Sequence, residues 1–177
     1  MGTGAGAAAV LVPAGVLFVA CAYFTRAPTG RIGAAGAGGL VAGGLNLLAD
    51  IGAHELGWWS YPITAGRAFG PLSWYGAAAL GVAGLTLIGW RAHRRFGLAG
   101  LLMFLVAFAA YGTLRDEVIS GVTPAAIRFG AGAAPRIADF ATWLVCTAAA
   151  IAVQRAFRGP PGRDVPHGHR SRSAPGR

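Results

Sequence analysis

Long apolar runs separated by short arginine-bearing segments dominate this chain, and no other feature restricts its fold so tightly. Five runs, at about 6–24, 32–53, 69–90, 97–114 and 137–157, approach or exceed the length that crosses a hydrocarbon layer roughly 30 Å thick. In lipid each backbone polar group needs a partner within the protein, so runs of this kind form helices. Composition agrees: 55% of residues are hydrophobic and 12% charged, with a mean hydropathy of +0.55. Soluble domains carry about 25% charged residues. The expected fold is an all-α, polytopic membrane bundle of about five transmembrane helices over residues 1–157. Residues 158–177, rich in Pro, Gly and Arg, are too polar to fold alone and are expected to form a disordered basic tail.

The charge pattern sets an orientation. All fifteen basic residues are arginines, and the formal net charge is +9. With five alternating spans, eleven arginines fall on the side of Arg31, Arg91, Arg94, Arg95 and the tail, and four on the other. The positive-inside rule then puts the N-terminus outside and the tail in the cytoplasm. It also accounts for the basic character without nucleic acid as a partner. A lysine-free chain rich in Ala, Gly and Arg fits a GC-rich bacterial coding bias, which makes a bacterial inner membrane the expected location. The start of the chain has no basic segment ahead of its first apolar run, so that run reads as a retained span rather than a cleaved signal. Cys21 and Cys146 lie within spans and suit neither a metal site nor a disulfide framework.

One stretch stands apart, NLLADIGAHELGWWSYP from Asn46 to Pro62. Asn46, Asp50 and His54 follow at intervals of four, which places them on one helix stripe. Ala35, Gly39 and Gly43 continue that stripe with small residues, which let another helix backbone approach. The stripe therefore faces protein, and its Gly39/Gly43 part also offers a face for a second copy of the chain. Residues 91–95 read as a compact basic loop, and 118–135 as an interfacial or re-entrant connection. In this topology Asp50, His54 and Glu55 arrive at the outer end of the bundle. Tyr111, Arg115, Asp116 and Glu117 arrive there from the fourth span, and Trp74, Tyr75, Asp139 and Trp143 from the third and fifth. Five of the six acids thus converge at one end. Ionisable groups inside spans are costly and mark functional sites.

A buried carboxyl beside an imidazole, under the aromatic lid of Trp58, Trp59 and Tyr61, suits acid catalysis on an unsaturated lipid. Burial favours the protonated carboxyl, and ring faces stabilise a developing cation. The catalytic candidates are Asp50, His54 and Glu55. The substrate-binding candidates are Asn46, Trp58, Trp59, Tyr61, Trp74, Tyr75, Tyr111, Arg115, Asp116, Glu117, Asp139 and Trp143. Neither a metal nor an organic cofactor is implied, since no paired ligand spacing or nucleotide fingerprint occurs.

Asp50, then Gly57, Trp58 and Tyr61, then Gly70 and Pro71 resemble the membrane carotenoid-modifying family of lycopene cyclase-type and carotenoid hydratase proteins, over about 30 residues. Leu72 and Ser73 stand where that family commonly has acids. The resemblance implies a polyisoprenoid substrate and protonation of a double bond. The expected function is therefore an isoprenoid- or lipid-modifying membrane enzyme. The alternative is a non-catalytic membrane protein that binds a lipid or partner helix, with Asp50 and His54 as a structural hydrogen-bonded pair.

Overall fold

The computed structural model describes residues 3–65 and 67–163. Four long helices carry the fold: α1 (Thr3–Thr25), α2 (Thr29–Glu55), α3 (Leu72–Val122) and α4 (Ala134–Arg158). Two short strands, β1 (Trp59–Ser60) and β2 (Arg128–Phe129), pair antiparallel, with Trp59 opposite Phe129. All four helices are long and apolar enough to cross a membrane. The tail reading falls largely on residues 164–177, which lie outside the described residues.

The two central runs of the sequence are one helix with a break. At Gly97 the backbone turns to φ 62° and ψ −149°, which no residue with a side chain adopts without strain. The chain reverses there. A Cβ placed on Gly89 would lie 2.7 Å from the ring of Phe104, a contact that a straight helix forbids over fifteen residues. Residues 72–96 and 98–122 are thus two antiparallel arms. The basic segment 91–95 is helical rather than a loop, because nothing in it interrupts the helix before Gly97. The fourth run likewise continues two turns beyond its expected end, to Val122. The connection that follows is shorter than expected and carries β2.

Small residues set the helix spacing. Gly38 packs against the Ala150 carbonyl of α4, and Gly39 against the Ala79 carbonyl of α3. A Cβ on Gly43 would lie 3.0 Å from the Tyr75 carbonyl. The Gly39/Gly43 face is therefore packed within the chain against the first arm of α3. Van der Waals contact of this closeness is a main source of helix association in lipid. On the other flank of that arm, α1 packs Leu11 against Gly76 and Phe18 against Gly84. Ala42, Val82, Phe108, Ala109, Trp143, Cys146 and Ala150 form the main buried cluster.

At the basic end, arginines close helix termini. Arg91 donates to the Thr25 carbonyl at the end of α1 (2.9 Å). Fully buried Arg31 donates to carbonyls at the end of α4. The last carbonyls of a helix have no partner within it, and cations complement its negative end.

Candidate functional site

At the opposite end, the acids sit on three helices at one level. Asp50 lies five residues before the end of α2, Asp139 five after the start of α4, and Asp116 six before the end of α3. At about 1.5 Å per residue each is roughly 8–9 Å from its helix end. All three are buried, and all three line one half-enclosed cavity of about 520 Å³. Volumes of this size accommodate small-molecule ligands. From Tyr75 to Leu85 the cavity follows the first arm of α3 for ten residues, about 15 Å, or half a hydrocarbon core. Its deep wall is apolar, with Val82, Leu85 and Phe108; its upper end holds the three acids, Asn46, Tyr61, Tyr75 and Arg115.

Asp50 is held from the loop that follows α2. Gly57, at φ 66°, turns the chain sharply after the helix, and β1 returns beside it. Trp59 Nε1 donates to Asp50 Oδ1 (3.1 Å), and the Tyr61 hydroxyl donates to Oδ2 (2.7 Å). The Tyr75 hydroxyl donates to the same oxygen and itself accepts from the Gly70 N–H (2.9 Å). Pro71, just after Gly70, is the N-cap of α3, where its missing N–H costs nothing. The segment 57–75 is therefore tied to α2 through one carboxylate. Burial, and then the neighbouring Asp50 charge, push the Tyr61 phenol far above its ordinary range, so it stays a donor.

Asp116 is satisfied in another way. Arg115 forks onto its Oδ1 from Nε (2.9 Å) and a terminal nitrogen (2.6 Å), and Trp143 Nε1 donates to Oδ2 (2.9 Å). The Arg115 guanidinium also lies 4.7 Å above the Trp143 ring. Trp143 fits only because position 112 is glycine: a Cβ there would lie 2.5 Å from the indole. Asp139 is 6% exposed, and its Oδ2 is buried without a hydrogen-bond partner.

Ten of the fifteen residues expected in the site line the cavity: Asn46, Asp50, Tyr61, Trp74, Tyr75, Tyr111, Arg115, Asp116, Asp139 and Trp143. Trp59 supports Asp50 from behind, and Trp58 packs beside it in the loop cluster. Glu117 pairs instead with Arg136, at 2.6 Å. Glu55 is exposed at the end of α2. His54 does not form the expected pair: both Asp50 oxygens are taken by aromatic donors, and His54 Nδ1 is buried without a partner. Among the described residues, no three His, Cys, Asp or Glu side chains are grouped to hold a metal ion.

The α1 wall was not anticipated. Ala9, Pro13 and Leu17, with Val10 and Ala14, line the cavity from α1. Their i, i+4, i+8 spacing, with small residues and a proline, was the available signal. Pro13 has no N–H to give the Ala9 carbonyl one turn back. Ile119 and Ile127 also contribute, the latter from the connection before β2. No family model, curated protein or solved structure matches the chain.

Proposed function

We propose that this chain is a small intramembrane enzyme that modifies an unsaturated isoprenoid or related lipid chain by acid catalysis. The observation that carries this reading is the cavity, apolar along its length with carboxyls from three helices at one end. A lipid chain enters from the bilayer side and lies against Val82, Leu85 and Phe108, with a double bond at the level of the acids. Proton transfer to that bond produces a carbocation. The Asp50 carboxylate and the faces of Trp74 and Trp143 stabilise it, electrostatics that gain strength where water is excluded. In this reading each arm of α3 crosses the membrane separately, giving five spans of a bacterial inner membrane protein. The acids then lie near the outer surface, and the arginine-rich end and tail face the cytoplasm.

Mass spectrometry of lipid extracts from membranes expressing wild type and Asp50→Asn tests the proposal. A species made only by the wild type supports an enzyme and identifies its substrate class. Identical extracts refute catalysis. One observation favours a second reading, lipid binding without chemistry: Asp50 has a full set of donors and ties the 57–75 segment to α2, as a structural carboxylate would.

A further inference from the structure

The three cavity carboxyls differ in what surrounds them. Asp50 receives three donors, from Trp59, Tyr61 and Tyr75. Asp116 also receives three, two from Arg115 and one from Trp143. Asp139 lines the same cavity, yet its Oδ2 is buried with no donor. Nor do the N-terminal N–H groups of α4 serve it, since that helix has no acid in its first turn. The Thr113 hydroxyl on α3 faces the Asp139 carboxyl and interacts with it, but no hydrogen bond closes between them. The charged groups facing Asp139 from the packed elements are Asp116 and Arg115 of α3 and Asp50 of α2.

We infer that Asp139 is the proton donor of this site and Asp50 its fixed counter-ion. The inference rests on the acid-catalysis reading of the cavity and reassigns the acid from Asp50 or Glu55. A buried carboxylate oxygen with no donor is a poorly solvated charge, whereas a carboxyl O–H there costs far less and has its proton free for the ligand. Asp50 is the opposite case. Its donors favour the charged form and fix a negative charge before the ligand arrives, so none of the reorganisation is left for the reaction. Two carboxyls in different surroundings thus take different roles.

The step balances without a co-reactant. The Asp139 Oδ2 proton forms a C–H bond at one alkene carbon as the π electrons leave the other, which becomes the cation facing Asp50. Loss of a proton from an adjacent carbon to the Asp139 carboxylate forms a new double bond and restores the acid. The net reaction is isomerisation of the double bond. Where a second double bond of the same chain attacks the cation first, its π electrons form a C–C bond, the cation moves to its far carbon, and the same proton loss completes a ring closure.

Infrared spectroscopy of the purified full-length protein in lipid decides which carboxyl holds the proton. At neutral pH the wild type should show the carbonyl band of a protonated carboxylic acid. Asp139→Leu should abolish it, and Asp50→Asn should leave it in place. A band that survives Asp139→Leu, or no band in the wild type, overturns the assignment. Melting provides the control for folding. Asp139→Leu removes an unpartnered polar group and should melt no lower than wild type, since apolar replacement of such a group is near neutral. Turnover in the same variant should fall by about 100-fold or more, with part restored by Asp139→Glu. If the wild type makes no product, the enzymatic reading fails, and the infrared result still locates the proton.

Discussion

The guanidinium of Arg31 donates to the Gln154 carbonyl at 3.2 Å, joining the first turn of α2 to the last turn of α4 across 123 residues. The same side chain reaches the carbonyls of Arg158 (3.3 Å) and Gly159 (3.2 Å) and is fully buried. Replacing it with alanine removes three charge-assisted hydrogen bonds at the end of α4, and the Arg158 and Gly159 carbonyls lose this donor. Arg31→Ala should lower stability by about 3 kcal/mol, read as thermal unfolding in detergent. Arg31→Lys should recover only part of that, because an ammonium lacks the planar fork.

The glycines of α2 fall into two classes, and substitution should separate them. Gly39 lies against the Ala79 carbonyl and the Ala83 side chain, so Gly39→Ala forces α2 away from α3. Gly44 has nothing near the position of a Cβ. Gly44→Ala should be neutral or stabilise by up to about 1 kcal/mol, the helix-propensity gain. Gly39→Ala should melt well below both, and parallel melts of the two variants check the contrast.

Alkaline stability should depend on Tyr61. Its folded phenol is held far above the ordinary range by burial and by the Asp50 charge, while the unfolded phenol ionises near pH 10. Above about pH 10 the unfolded state therefore binds fewer protons than the folded one, and stability falls as pH rises. Tyr61→Phe removes its share of that dependence. It should cost about 1 kcal/mol at neutral pH through the lost hydrogen bond, yet show a shallower decline above about pH 10. Melting curves across that range test both signs.

Much of this arrangement was legible in the order of residues. The stripe from Gly39 through Gly43 to Asp50 faces protein, as its small residues require, and alternation of helix direction brings Asp116 and Asp139 to the level of Asp50. The loop was harder to read. Trp59, Tyr61 and Tyr75 suit an aromatic belt equally well by composition, and only the turn at Gly57 aims two of them back at a carboxylate. The His54 spacing predicted a pair with Asp50, but i and i+4 neighbours compete with every other donor that tertiary structure brings, and the phenols and indole prevailed. The β1–β2 pairing, two residues on each side, lies below any periodic signal. Gly112 carries no mark in sequence that it makes room for Trp143.

Gly97→Ala should be costly although nothing fills the space a Cβ would occupy, because its φ of 62° with ψ of −149° belongs to glycine. About 1–3 kcal/mol of backbone strain is expected, visible as a lowered melting temperature.

That residue also governs parity. With a helical φ at 97, α3 would run straight for its 51 residues, about 77 Å, more than twice the thickness of a hydrocarbon core. Its distal half would then carry Asp116, and after it Asp139, away from Asp50 instead of back toward it. Three carboxyls on three helices meet around one cavity because a single dihedral angle decides how many times the chain turns back.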